Sequence, residues 1–171
     1  MNWIKKYLAG GDLRSVGKVG ALIPRIKNQE DFDLLMNELL SEERIVAMRA
    51  ADAVEKITIH HKEFLQAHKQ TLFRLAENAI NKELKWHLAL LILRLKLNPE
   101  EKRKAWKILK QWALDKKESR IVRVNALQGL YELAHDGSPA YNNDLQNIIV
   151  KLEAENIPSI SARIKKLRKL S

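Results

Sequence analysis

The sequence has 171 residues, of which 46% are hydrophobic, 30% are charged and none is a cysteine. This composition predicts a single helix-rich domain over residues 1–171 and excludes disulfides, thiolate metal sites and cysteine nucleophiles. The formal net charge is +10 and is uneven: residues 82–171 carry 19 Lys and Arg against 10 Asp and Glu, whereas residues 1–81 carry 12 against 11.

Helix start and stop signals recur along the chain. Gly10-Gly11-Asp12 ends a short first helix. Ser41-Glu42-Glu43 indicates a start, because a hydroxyl oxygen can cap a first turn whose positive end favours acids. Asn98-Pro99-Glu100-Glu101 is a second start, Asp136-Gly137-Ser138-Pro139 indicates a loop, and Pro158 opens a last helix. With the apolar spacing, these signals predict ten helices, at residues 2–9, 12–26, 29–40, 42–58, 62–79, 82–96, 99–117, 119–135, 140–155 and 158–170.

The even-numbered predicted helices can be aligned with one another. Lys18, Arg49, His87, Asn125 and Arg163 fall in register, with spacings of 31, 38, 38 and 38 residues. Apolar residues follow one, five and eight positions later, and these columns hold through four repeats and decay in the last. A two-helix repeat of about 38 residues predicts stacked helix pairs. A non-repeating helical bundle remains the alternative.

Two segments carry a family resemblance. Residues 44–54 and 120–127 resemble the second helix of a HEAT repeat, in which small residues let paired helices approach closely. The resemblance implies an armadillo-like, all-α fold: a short right-handed α-α superhelix of about five HEAT-like pairs. It also implies that the polar register residues face a concave groove that binds a macromolecule.

The predicted partner-binding groove follows from helical geometry. Side chains three, four and seven positions from each register residue share its face. Trp86 and His87, near the start of the predicted helix 82–96, form the best single contact candidate, but the favoured interpretation is a Trp packed between repeats and a His paired with Glu83 one turn earlier. A solvated face without a partner is also an alternative. The candidate groove residues are Arg14, Lys18, Arg49, Asp52, Lys56, Trp86, His87, Arg94, Asn125, Gln128, Arg163 and Lys166.

The predicted helix 99–117 has the densest run of positive charge, with Trp106 and Trp112 between its lysines. Interleaved cations and aromatics can hold nucleic acid. The apolar spacing instead favours a structural role, with Trp112 in the core, Trp106 partly exposed at the edge, and lysines on the outer surface.

Other functional classes lack supporting motifs. His60, His61 and His68 fall near a predicted turn without the spacing and acid that a zinc site requires, so we expect no metal and no cofactor. The sequence has no phosphate loop, nucleophile elbow or dinucleotide fingerprint, and no small-molecule substrate is evident. The N-terminus lacks an apolar signal core and the apolar runs are too short to span a membrane. We therefore expect a soluble cytoplasmic protein that is not an enzyme.

A weaker resemblance connects the chain to bacterial HEAT-like alkylpurine DNA glycosylases. These proteins use Trp, Asp and Arg residues on a basic concave surface, and the chain offers Trp86, Asp52 and Arg49 on its predicted groove. It departs from them because it is shorter and has no segment matching their Trp-Asp motif. Glycosylase-like activity is therefore a remote third possibility.

The preferred prediction is a non-catalytic helical-repeat scaffold that binds an acidic protein segment in its groove. The alternative is a nucleic-acid-binding protein that uses the basic groove and C-terminal half. The acids Asp52, Glu83 and Glu132 interrupt the basic residues of the groove, which favours a protein partner over a phosphate backbone.

Overall fold

The computed structural model describes residues 3–12, 17–135 and 138–170, and all the regular structure in these ranges is helical. The all-α prediction is therefore confirmed for the part of the chain that is described. The α-helices are α1 (Lys5–Leu8), α2 (Val19–Leu22), α3 (Gln29–Asn37), α4 (Arg44–Ile57), α5 (Lys69–Asn78), α6 (Lys82–Leu91), α7 (Pro99–Leu114), α8 (Arg120–Ala134), α9 (Pro139–Glu153) and α10 (Pro158–Leu167).

Local sequence signals explain several helix ends. The side chain of Asn98 accepts a hydrogen bond from Glu101 N at 2.9 Å, and the Glu101 carboxylate accepts one from Asn98 N at 2.8 Å. This reciprocal capping box satisfies two donors at the start of α7, where Pro99 needs none. The side chains of Asn28 and Ser119 cap α3 and α8, and each accepts one backbone hydrogen bond from the first turn of its helix.

Four of the predicted helices contain 3₁₀ turns. These turns occupy Ile23–Arg25, Glu38–Leu40, Lys62–His68 and Ile92–Arg94. Three of them extend α2, α3 and α6 at their C-terminal ends, and Lys62–His68 precedes α5. The predicted helices 29–40, 62–79 and 82–96 are therefore each an α-helix joined to a 3₁₀ segment.

The prediction of a helix over residues 12–26 is wrong at its start. Gly17 has a φ of 57°, in the left-handed region that ends or interrupts a right-handed helix, and α2 begins only at Val19. Residues 13–16 lie outside the described ranges. The continuous apolar pattern across this segment thus does not correspond to a continuous helix.

The chain divides into two compact units, Met1–Leu72 and Phe73–Ser171. In the first unit, α4 packs against α1, α2 and α3, and its apolar side is buried, including Val46 and Val54 with 0% exposure. Burial of this apolar side is what stabilises a helix of this length against the entropy of ordering it.

The second unit is organised around α8. This helix packs against α6, α7, α9 and α10, and α9 also packs against α7 and α10. Helices α6, α8 and α10 are thus consecutive neighbours, with α7 and α9 as the intervening partners. Gly129 permits this packing, since a Cβ there would lie 2.8 Å from a methyl group of Leu109 on α7.

Candidate partner-binding surface

The structure removes Arg49 from the predicted groove. Its side chain is 1% exposed, and its guanidinium donates to the carbonyl oxygens of Leu8 at 2.7 Å, Gly10, and Asp12 at 3.1 Å. These carbonyls belong to the end of α1 and the residues after it, where the backbone has no helical partner for them. Arg49 is a buried structural residue that holds the N-terminal segment onto α4, and it is not accessible to a partner.

The remaining groove candidates of the first unit differ in their exposure and pairing. Lys18 is exposed beside α2. Asp52 and Lys56 form an ion pair at 2.7 Å across one turn of α4, so each neutralises the other at the surface. Arg14 lies outside the described residues.

His87 is buried, which contradicts its place among the groove candidates and agrees with the interpretation in which it is packed. It is 6% exposed, and Glu83, one turn earlier, is 9% exposed. Both lie on α6, which packs against α8, and neither is an exposed position. Trp86 and Arg94 keep intermediate exposure, so they remain available for contact.

Polar register residues connect the neighbouring helices of the second unit. Asn125 Nδ2 on α8 donates to the carbonyl oxygen of Trp86 on α6 at 3.2 Å. Arg163 Nη1 on α10 donates to Gln128 Oε1 at 2.8 Å, and Gln128 Nε2 donates to Glu132 at 2.8 Å. The structure therefore brings together four predicted site residues on three adjacent helices, with Lys166 exposed one turn after Arg163.

These residues define what we term the α6–α8–α10 face. Its members are Trp86, Arg94, Ile121, Gln128, Arg163 and Lys166. Ile121 lies one turn before Asn125 and is 46% exposed, so the face has apolar area as well as cations. Ile121 was not among the predicted groove residues, because an isoleucine near a helix start carries no chemical signal in the sequence.

The densest basic run is less electropositive than its sequence indicates. Lys104 pairs with Glu77 at 2.9 Å, and Lys110 pairs with Asp144 at 2.7 Å. Lys102 lies 4.6 Å from the ring centre of Tyr141. Each of these contacts engages a cationic side chain that, from the sequence alone, would be expected to bind a phosphate.

The structure corrects the expected exposure of Trp106 and confirms the expected burial of Trp112. Trp106 is 6% exposed rather than partly exposed, because its Nε1 donates to Asp144 at 2.8 Å and its ring packs on Tyr141. Trp112 is 5% exposed, as expected for the apolar stripe of α7. Neither ring is available for stacking on a base.

Two carboxyl groups of the second unit have a pKa below its usual value. Burial raises the pKa of Asp144, but hydrogen bonds from Lys110 and Trp106 outweigh it and leave the pKa below its usual value. A hydrogen bond from Arg123 lowers the pKa of Glu155. Arg123 is 3% exposed and also donates to the Ala113 carbonyl at 2.9 Å, so it holds α8 to the end of α7. These shifts come from ion pairs that hold helices together.

The histidines outside α6 make separate contacts. A ring nitrogen of His61 lies 3.0 Å from Glu63, and one of His68 lies 2.6 Å from Asp33. In the described ranges, no group of three or more His, Cys, Asp or Glu side chains is arranged to hold a metal ion. Nor does any helix there have the length and apolarity needed to cross a membrane.

Comparison of the chain with protein-family models, with curated proteins and with solved structures gave no significant match.

Proposed function

We propose that the protein is a HEAT-like helical-repeat scaffold without catalytic function, which binds an acidic protein segment on the α6–α8–α10 face. The observation that carries the proposal is the alignment of these three helices. Asn125 contacts Trp86, and Arg163 contacts Gln128, between helices whose register residues recur every 38 positions. Side-by-side second helices are the arrangement that helical-repeat proteins use to present an extended binding surface.

The composition of this face favours an acidic and partly apolar partner. Arg94, Arg163 and Lys166 supply cations, whereas Trp86 and Ile121 supply apolar area. Partly exposed Trp and Arg side chains are typical of the few residues that provide most of the affinity in protein interfaces. An amphipathic acidic segment would satisfy both kinds of group at once.

Nucleic-acid binding is the second candidate, and one observation favours it. Lys165, Lys166 and Lys169 on and after α10 are exposed and have no ion-pair partner among the described residues. Against it, the buried Trp106 and Trp112 offer no stacking surface. Glycosylase-like chemistry has less support, since the Arg49 side chain is enclosed by carbonyl groups.

The experiment compares the wild-type chain with an Arg163→Glu, Lys166→Glu double variant and with a charge-matched Lys62→Glu, Lys117→Glu control, whose lysines are exposed and are not members of the α6–α8–α10 face. The proteins that each variant captures are quantified. Fluorescence anisotropy then measures the affinity of each variant for the captured partner, for single-stranded DNA and for RNA as the salt concentration is raised. We expect an acidic partner that the double variant loses and the control retains, with a shallow salt dependence. Micromolar nucleic-acid binding at about 150 mM salt with a steep slope would replace the protein-partner proposal.

A further inference from the structure

The turn between α5 and α6 exposes an unusual amount of apolar surface. Ile80 is 89% exposed, the largest value among the exposed large hydrophobic residues of the described chain. A single exposed isoleucine is ordinary, but this one borders a depression of about 410 Å³ that Leu75, Ala79 and Leu84 also line. Contiguous apolar surface of this kind marks an interaction site more often than scattered residues do.

A second depression adjoins the first. It has a volume of about 290 Å³, lies between the end of α5, the start of α6 and one side of α7, and shares Ala79 with the apolar depression. Its apolar lining includes Ala76, Ile108 and Trp112. We term the two depressions together the corner groove; all of it lies within the second unit.

The charges of the corner groove are unbalanced. Lys104 is paired with Glu77, and Lys85 with Glu118, so these four groups neutralise one another. Lys107 and Arg74 are exposed, line the groove, and have no ion-pair partner among the described residues. Asp115 is the one remaining acid of the lining, and it accepts a hydrogen bond from Lys117 N at 2.9 Å. Two open cations against one acid leave an excess of positive charge beside the apolar depression.

We infer that the corner groove binds a short peptide segment in which a large apolar side chain lies next to acidic residues. The apolar side chain occupies the depression beside Ile80 and Leu84, and the carboxylates contact Arg74 and Lys107. This inference does not depend on the α6–α8–α10 face, because none of these residues belongs to it.

The same lining disfavours a nucleic-acid strand. Asp115, in the lining of the second depression, would repel a continuous run of phosphates. The other half is lined by aliphatic and amide side chains and by Arg74, and no aromatic ring among them offers a stacking surface. A peptide with an isolated carboxylate next to an apolar group has no continuous run of charge to be repelled and needs no aromatic stacking surface.

The test selects a random peptide library, displayed on phage, against the intact wild-type protein. The enriched peptides are synthesised and their affinity is measured by fluorescence anisotropy for Ile80→Ser and Lys107→Glu. Each variant has a matched control: Ile59→Ser, which alters another exposed isoleucine, and Lys165→Glu, which alters another unpaired lysine. Thermal melts establish that all four fold, as expected for exposed positions.

The inference requires enriched peptides that combine acidic and large apolar residues, with affinity reduced about tenfold by each groove variant and unchanged by either control. Three results would overturn it: no enrichment, enriched peptides lacking either residue class, or binding to Ile80→Ser or to Lys107→Glu that equals binding to the wild type. Displacement of the peptide by a DNA or RNA oligonucleotide whose own binding requires Lys107 but not Ile80 would assign the site to nucleic acid. The Arg163→Glu, Lys166→Glu variant should bind these peptides normally, so the two proposals can fail independently.

Discussion

A Cβ atom on Gly17 would lie 2.9 Å from the guanidinium carbon of Arg49. The backbone at Gly17 is also left-handed, with a φ of 57°. Two requirements therefore coincide at one residue: a conformation that glycine adopts readily, and a space that the Arg49 side chain has already filled.

Gly17→Ala should destabilise the protein by about 1–3 kcal/mol, because it adds both backbone strain and a steric overlap with a buried side chain. The measurement is the free energy of unfolding in urea. Gly20→Ala is the matched control: Gly20 lies in α2 with no atom within 4 Å of an added Cβ, so alanine should stabilise by about 0.5–1 kcal/mol. Equal effects of the two substitutions would contradict the position of Arg49.

The Arg123–Glu155 pair should make stability depend on pH. Since the hydrogen bond from Arg123 lowers the pKa of Glu155 in the folded state, this stabilisation is present above the carboxyl group's ordinary pKa. It is lost as the pH falls through the lower, folded-state pKa. The difference in unfolding free energy between wild type and Glu155→Gln should thus shrink from pH 7 towards pH 3. A difference that stays constant across this range would rule out an ionised Glu155 as the partner.

The capping box at the start of α7 should contribute measurably to stability. Asn98→Ala removes the acceptor for Glu101 N and should cost about 1 kcal/mol in thermal or urea unfolding. Ser138 occupies the equivalent position before α9 but makes no capping hydrogen bond with its side chain. Ser138→Ala should therefore stay within about 0.5 kcal/mol of wild type, and a similar loss in both variants would contradict the assigned role of Asn98.

Ala51 tests the packing of α4. Its side chain is 0% exposed, so Ala51→Leu should overpack the first unit and cost about 1–3 kcal/mol. Ala162 on α10 is exposed, and Ala162→Leu should leave the melting temperature nearly unchanged. An unaltered melting temperature for Ala51→Leu would mean that α4 faces solvent on this side.

Local signals in the sequence were sufficient for much of the helical layout. The Asn98-Pro99 start depends on residues within one turn of each other, and α7 begins at Pro99 as predicted. The predicted continuation of a helix through Gly17 failed because the reason for that glycine is Arg49, which lies 32 positions later in the sequence. Apolar spacing contains no information about such a distant contact.

The burial of Arg49 could not be predicted for the same reason, whereas packing of His87 was one of two interpretations of its position. Arg49 and His87 occupy polar positions in their helices, and helical geometry alone assigns such positions to an exposed face. Their burial depends on what packs over them, which for Arg49 is the segment from Leu8 to Asp12.

The enclosure of Arg49 makes the N-terminal segment indispensable to the first unit. A shortened protein beginning after Asp12 would lack three carbonyl acceptors of a guanidinium group that is 1% exposed. It would also lose Ile4 and Leu8, which are both 0% exposed, so the truncation should destabilise the first unit by removing core side chains as well as the groups that enclose Arg49. For anyone trimming or circularly permuting this chain, the segment from Leu8 to Asp12 is as much a part of α4's environment as its helical neighbours.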